Sequence, residues 1–296
     1  MIALSAAAEP GIHTATNRLG TVLENVVLDP ATAEPVFADD SLTENTRAAF
    51  PLAAIPGSSP TGTGSHPRHV LFLTADAFGI LPPVARLTPE QAISYFQSSY
   101  TSQLAGTERG ITEPEATFSA CFGAPLLALP PIHYAEMLGD RLARHTPAVW
   151  LINTGWSGGP VSAGQRMPIG STRAIVRSLV EGRLEDVPTV ADDVFRLAVP
   201  TACPGVPPEL LVPRETWVDS DAHDAAARRL ANAFAENFRS FAGSGGAGRG
   251  GGGSRDRLSG PFATGPERSA ARSPTASVRF AGWALGWPGP RLPFGR

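Results

Sequence analysis

The strongest constraint on what this chain can fold into is a break in composition near residue 242. Residues 243–296 hold 14 of the 31 glycines, including the run GSGGAGRGGGGS, and set eight arginines against only Asp256 and Glu267. That segment nets +6, which leaves −9 on residues 1–242 of a chain whose total is −3. It shows no apolar period of 2 or 3.6, and Trp283 and Trp287 have no pattern around them. A segment of this kind cannot bury enough apolar surface to offset its ordering entropy. Any core must therefore come from residues 1–242, and 243–296 is expected to be a disordered tail. An RNA-binding arginine-glycine arm and a frameshifted, foreign sequence both fit it; the absence of RGG repeats favours the second.

Within 296 residues there is room for one large domain or two ordinary ones. A hydrophobic share of 42% supports a core, and a net charge of −3 speaks against a nucleic-acid partner. Cys121 and Cys203 have no metal or redox spacing, and no disulfide framework is expected. No stretch approaches the ~18 uninterrupted apolar residues of a membrane span. The start, MIALSAAAEPG, lacks a basic region and meets Glu9 and Pro10 early, which does not suit a signal peptide. The expectation is a cytoplasmic chain with no membrane association; its oligomeric state is not read from sequence. All 24 basic residues are arginine. With abundant Ala, Gly and Pro, this points to a GC-rich coding sequence. It also excludes a Walker A loop, G-x-x-x-x-G-K-[ST], and Schiff-base chemistry on lysine from these residues.

Residues 1–242 read as alternating strands and helices. HVLFLTA (69–75) and AVWLINT (148–154) are apolar runs bounded by turns, as in buried strands. Thr88-Pro89-Glu90-Gln91 has the form of a capping box, with Thr88 as N-cap, Pro89 at N1 and Gln91 at N3. Ile93, Phe96, Tyr100 and Leu104 follow at helical spacing, and Gly106 is placed to stop that helix. TRAIVRSLVEG (172–182) predicts a short helix with Ile175, Val176, Leu179 and Val180 on one face. Leu230, Phe234, Phe238 and Phe241 mark a last helix, and VVLDPATAEPVF (26–37) predicts a hairpin. The mixture argues an α/β or α+β fold with a sizeable sheet.

One stretch raises a chemical question. Gly155-Trp156-Ser157-Gly158-Gly159 fits the G-x-S-x-G nucleophile elbow of a serine hydrolase. The elbow needs strand, nucleophile and then helix, yet PVSAGQRMP follows as loop. Only His223 lies downstream, inside a helix start, and there is no HGGG-type oxyanion loop. The other reading is one wall of a nucleotide pocket, since Arg166 and Thr172 flank a turn that leads into a helix. The six histidines are scattered. His66 and His69 are the closest pair, but Pro67 between them works against a two-ligand face, so no all-protein metal site is expected. SSPTGTGSHP (58–67) is glycine-rich but lacks lysine and precedes a strand, as a solvent loop does. GTERGITEPEATFSACFG (106–123) is long and polar, with Gly106 and Gly110 as hinge points; a charged loop of that length suits a lid or binding loop.

Five strings carry a resemblance: ATNRLGTVLENVVLDP, SLTENTRAAFPL, FLTADAFGILPPVARLT, LAGTERGITEPEATFSACFGAP and VWLINTGWSGG. From about residue 3 to 242, in unbroken order, the chain resembles the C-terminal half of ATP-dependent phosphoenolpyruvate carboxykinase; residues 243–296 do not. The resemblance implies the nucleotide-binding lobe of that fold, and a reaction in which oxaloacetate and ATP give phosphoenolpyruvate, carbon dioxide and ADP, at the entry to gluconeogenesis. It implies Mg²⁺ with the nucleotide and Mn²⁺ in a protein site. It assigns Arg47 to bridging substrate and γ-phosphate, Glu9 to the nucleotide, Arg166 and Thr172 to the adenine end, and Gly106, Thr107, Glu108, Arg109 and Gly110, within 106–114, to a mobile lid. Met167, between Arg166 and Thr172, is apolar and adaptable enough to pack on the base. A planar guanidinium at Arg47 suits bidentate contact with oxyanions; the plainer reading is an ion pair with Glu44. The family's P-loop, its N-terminal domain, its oxaloacetate-binding arginine and tyrosine, and its metal-binding lysine, histidine and aspartate match nothing in these residues. The chain alone is therefore expected to be catalytically inactive. A non-catalytic nucleotide-binding or interaction fragment stays open as an alternative.

Overall fold

The computed structural model describes residues 6, 9–39, 41–42, 46–103, 115–123 and 126–244. All but the first two residues of the expected 243–296 tail lie outside them. In chain order the helices are α1 (Pro10–Thr16), α2 (Pro89–Ser98), α3 (Pro131–His145), α4 (Ile169–Val180), α5 (Pro208–Leu211), α6 (Pro213–Thr216) and α7 (Ser220–Ser244). The strands are β1 (Val22–Glu24), β2 (Val27–Leu28), β3 (Pro35–Val36), β4 (Arg47–Ala49), β5 (His69–Thr74), β6 (Val84–Leu87), β7 (Tyr100–Gln103), β8 (Glu115–Phe118), β9 (Ala148–Asn153), β10 (Trp156–Ser157), β11 (Gln165–Arg166), β12 (Thr189–Ala191) and β13 (Ala198–Pro200).

Five strands form one mixed sheet in the order β12-β13-β6-β9-β5. β5 and β9 run parallel, in register from His69↔Ala148 to Thr74↔Asn153, and β6 lies antiparallel on the other side of β9. Val149 to Asn153 are buried without a break, because β9 is covered on both faces. That is why AVWLI reads as a continuous apolar run instead of alternating. Phe72 on β5 packs against Tyr95 and Phe96 of α2 and against Phe122. Phe234 of α7 packs against Tyr95, Tyr100 and Phe195, which joins the last helix to the same core. The remaining strands pair as small antiparallel ribbons: β1 with β4, β2 with β3, β7 with β8, and β10 with β11.

The expected α/β class and the 26–37 hairpin are present, and both apolar runs form strands. β9 is buried from Val149 onward, but β5 lies at the end of the sheet with only Phe72 and Thr74 buried and Leu73 exposed, so it is not the buried strand expected. The capping box is complete: Thr88 Oγ1 accepts from the Gln91 amide at 3.2 Å, and Gln91 Oε1 accepts from the Thr88 amide at 3.0 Å. The helix it starts is shorter than expected. It ends at Ser98, with Ser99 left-handed at φ +43°. Tyr100 continues the helical spacing by coincidence only. It belongs to β7, fully buried, with its phenol donating to Asp76 Oδ1 at 2.9 Å and its carbonyl accepting from the Tyr95 hydroxyl and Thr74 Oγ1. Leu104 and Gly106 lie outside the described residues. The 106–123 segment is not all loop either, since Glu115–Phe118 is strand β8, paired with β7. Helix α4 starts at Ile169, three residues before the expected boundary, so Thr172 stands inside its first turn. Ile175 and Leu179 are buried there, but Val180 is 72% exposed and not part of the apolar face.

Candidate functional site

Parallel strands β5 and β9 end side by side at Thr74 and Asn153. In open α/β sheets the crevice beyond such carboxyl ends is where ligands bind. Two loops leave from this point, residues 75–83 and 154–168. They extend the ladder past the strands: Thr154 donates to the Thr74 carbonyl, Trp156 to that of Asp76 and Val161 to that of Ala77, each at 2.8 Å. Two buried polar side chains hold them. Asn153 Oδ1 accepts from the amides of Asp76 and Gly155, at 3.0 and 2.9 Å, and its Nδ2 donates to the Leu81 carbonyl. Asp76, fully buried, accepts from the amides of Phe78, Ile80 and Leu81 and from the Tyr100 phenol. Four donors match the lone-pair capacity of one carboxylate. Burial, and then the Asp76 charge, push the Tyr100 phenol well above its ordinary range, which keeps it a donor. Two glycines permit the close approach. A side chain on Gly155 would overlap the Asp76 backbone, and one on Gly79, at φ +70°, would overlap the Gly159 carbonyl.

The 154–168 loop folds back as the β10–β11 ribbon, with Trp156 opposite Arg166 and Ser157 opposite Gln165. Arg166 is exposed; its guanidinium carbon lies 5.1 Å from the Trp156 ring centroid and its Nε donates to the Thr154 carbonyl at 3.3 Å. A cation over an aromatic face at an exposed site contributes about 0.5–1 kcal/mol. Met167 is buried in the main core, and its amide donates to the Gly155 carbonyl. Its side chain thus anchors the ribbon to the core. Thr172, half-buried, follows in the first turn of α4, whose N-cap Pro168 provides no side-chain cap. Glu9, at the start of α1, forms an ion pair with Arg173, the residue after Thr172. The pair ties Glu9 to α4, and Arg166 and Thr172 flank the start of that helix in sequence. Arg47 lies on the separate β1–β4 ribbon, exposed, 3.8 Å from Glu24. Its partner is Glu24; Glu44 falls outside the described residues, as do Gly106, Thr107, Glu108, Arg109 and Gly110.

The hydrolase reading of Ser157 fails on geometry. The residues after it form the β10–β11 ribbon and not a helix, and its hydroxyl donates to Thr216 Oγ1 at 3.1 Å instead of to an imidazole. Thr216 also accepts from the Gly158 amide at 2.9 Å and donates to the Pro213 carbonyl at 2.6 Å. Next to it, Trp217 Nε1 donates to the Gly79 carbonyl at 2.8 Å. His223 packs edge-on to Trp217 and bonds Asp224, which Arg214 grips with two nitrogens. His66 stacks on His145 while His69 faces Glu185, so the HPRH pair is split between two partners. Among the described residues no three His, Cys, Asp or Glu side chains come together so as to hold a metal ion. The described residues by themselves therefore do not fit the protein-held Mn²⁺ that the resemblance implies, whereas Mg²⁺ would arrive with the nucleotide. No described helix is long and apolar enough to cross a membrane.

Sequence reading missed Asp76, Asn153, Thr216 and Trp217. Asp76 left a trace, an acidic residue directly after an apolar strand and three before a glycine, as in a turn that a carboxylate closes. Thr216 left none, since the two partners that tie it to the site are 58 and 59 residues away.

The model of the phosphoenolpyruvate carboxykinase family matches residues 1–209. Phosphoenolpyruvate carboxykinase (ATP) 2 of Moorella thermoacetica is 57% identical over 240 residues, 81% of this chain and 45% of that protein. The phosphoenolpyruvate carboxykinases (ATP) of Geobacillus kaustophilus and Thermus thermophilus are 55% and 52% identical over 241 and 242 residues, 81% and 82% of this chain and 46% of each relative. The chain thus spans just under half the length of these curated relatives. A family match over most of residues 1–242, on a sheet whose parallel strands open into a built loop site, leads to one conclusion: this chain belongs to the ATP-dependent phosphoenolpyruvate carboxykinase family.

Proposed function

We propose that residues 1–242 form the nucleotide-binding lobe of an ATP-dependent phosphoenolpyruvate carboxykinase. The full reaction would take oxaloacetate and ATP to phosphoenolpyruvate, carbon dioxide and ADP. Loss of the carboxylate leaves an enolate, whose oxygen takes the γ-phosphoryl group as the bond to ADP breaks. This chain's share of that work is to receive the nucleotide. The exposed guanidinium of Arg166 offers a cationic face to the base or ribose, and Thr172 offers a hydroxyl to a ring nitrogen or exocyclic amine. Glu9 orders the start of α4 through Arg173. Arg47 would reach the γ-phosphate and the substrate; an exposed pair at 3.8 Å holds it only weakly, so recruiting it costs little. A cytoplasmic setting and a place in gluconeogenesis belong to the same proposal.

The observation that supports the reading most is the match of residues 1–209 to the phosphoenolpyruvate carboxykinase family, in a chain whose parallel strands β5 and β9 end at the loop that carries Arg166. The test is an NMR titration of the 296-residue chain with MgATP, on wild type and on Arg166→Ala. Shift changes concentrated in 154–173 and lost in the variant are expected, with a dissociation constant on the order of 1 mM or weaker, because charge-assisted phosphate contacts usually supply much of the affinity. Absence of a localised response in wild type, or an unchanged response in Arg166→Ala, would overturn the reading.

A further inference from the structure

We propose that Thr216 and Trp217 are positioning residues that clamp the two loops of the nucleotide site into one surface. The inference rests on the nucleotide reading above and assigns a role to a segment, residues 213–217, that touches the site through its loop backbone and the Ser157 hydroxyl.

The Thr216 hydroxyl has one proton to give and two lone pairs to receive. All three are used: it donates to the Pro213 carbonyl and accepts from the Gly158 amide and the Ser157 hydroxyl. Its neighbour reaches the other loop, with Trp217 Nε1 on the Gly79 carbonyl. The two gripped loops also meet each other, since Gly79 packs on the Gly159 backbone so closely that no Cβ would fit. Two consecutive residues therefore hold both sides of one backbone junction. The clamp has a mount of its own: Arg214 binds both Asp224 carboxylate oxygens, at 2.9 and 3.2 Å, and His223 backs the Trp217 ring, which ties residues 213–217 to the start of α7.

The consequence for the nucleotide follows from register. Ser157 pairs with Gln165, and Trp156 with Arg166. Residues 157 and 158 are the ones Thr216 holds. If they shift, the ribbon that sets Arg166 over Trp156 shifts with them. An exposed arginine has many rotamers, and its useful placement depends on that ribbon staying still.

The test uses the 296-residue chain, Arg166→Ala as the control for the nucleotide site, and three further variants. Thr216→Val keeps the shape and removes the hydroxyl, leaving the Gly158 amide and the Ser157 hydroxyl without their acceptor. Thr216→Ser restores the hydroxyl. Trp217→Phe removes the indole donor to Gly79. Affinity for MgATP is measured by NMR titration, with hydrogen exchange at the Gly158 amide alongside. The expected result for Thr216→Val is about tenfold weaker ATP binding, the loss of roughly one well-made hydrogen bond's worth of order, and faster exchange at Gly158. Thr216→Ser should recover both. Trp217→Phe should weaken ATP binding in the same direction. Rescue by serine, measured on folded protein, is what a general loss of stability would not produce. If Thr216→Val does not give a dispersed spectrum, Trp217→Phe decides the matter. Wild-type binding that Arg166→Ala abolishes and Thr216→Val or a folded Trp217→Phe leaves unchanged would overturn the clamp and leave the nucleotide reading standing. No ATP response in wild type would overturn both.

Discussion

Asp76 shows how much one buried residue can organise. A carboxylate taken from water is costly unless its charge is matched by donors. Here three amides of the following turn and a phenol surround it, and the loop 76–81 has little choice of path. Removing the carboxylate would strand three amides. Asp76→Ala is therefore expected to cost about 3–5 kcal/mol, since each buried donor left without an acceptor costs about 1–3 kcal/mol. Tyr100→Phe removes one donor and is expected to cost about 1.5–3 kcal/mol. Urea denaturation, with midpoint and slope compared across wild type and both variants, checks both values. An Asp76→Ala cost below that of Tyr100→Phe would show that the amides find other acceptors.

Helix α2 shows how the two ends of one element are set by different forces. Its start is local chemistry: a threonine, a proline and a glutamine in the right order close the first turn. Gln91 does a second job, with Nε2 donating to the Arg196 carbonyl at 3.1 Å. Thr88→Ala should cost about 1 kcal/mol, as for other lost N-caps. Gln91→Ala should cost more, because it removes a cap bond and a tertiary bond together. Thermal or urea unfolding of both variants checks the order; equal losses would mean that the Arg196 contact contributes nothing. The far end of the helix obeys a different rule. Ser99 turns left-handed so that Tyr100 can enter the core as a strand, and a periodicity that runs on to Leu104 gives no hint of it.

At the scale of the molecule, the outer strand is where the sheet can meet another chain. Among the described residues β5 ends the sheet order, and Leu73 on it is 58% exposed. Val180 and Val190 are exposed at 72% and 63%. The unpaired backbone N–H and C=O groups of an outer strand are a template for pairing with another chain; an exposed apolar side chain there favours the contact and lysine blocks it. The 296-residue chain is expected to associate as its concentration rises, and Leu73→Lys to reduce that association. Sedimentation velocity across a range of concentrations reads both; a wild type that stays monomeric throughout would refute the expectation.

What the sequence determined by itself is the chemistry that acts within a few residues. Two apolar runs of strand length, a capping box, a hairpin and a last amphipathic helix need only their neighbours in the chain, and each is present in the structure. The same holds for the family, because long strings of unusual residues in unbroken order carry it. What only the tertiary structure decided are the contacts between segments far apart. Helix α4 starts at Ile169 where the local pattern begins at Thr172, since Pro168 and the turn before it are held by the loop ribbon. Met167 turns into the core, although its spacing allows it to face a ligand. Glu9 meets Arg173 across most of the folded chain, and Thr216 closes on Ser157 and Gly158 through a hydroxyl whose one local bond, to the Pro213 carbonyl, gives no hint of either. Local propensity acts over one turn of helix or one strand pair, whereas a site is made where the ends of distant elements converge, and that convergence is a property of the packed sheet alone.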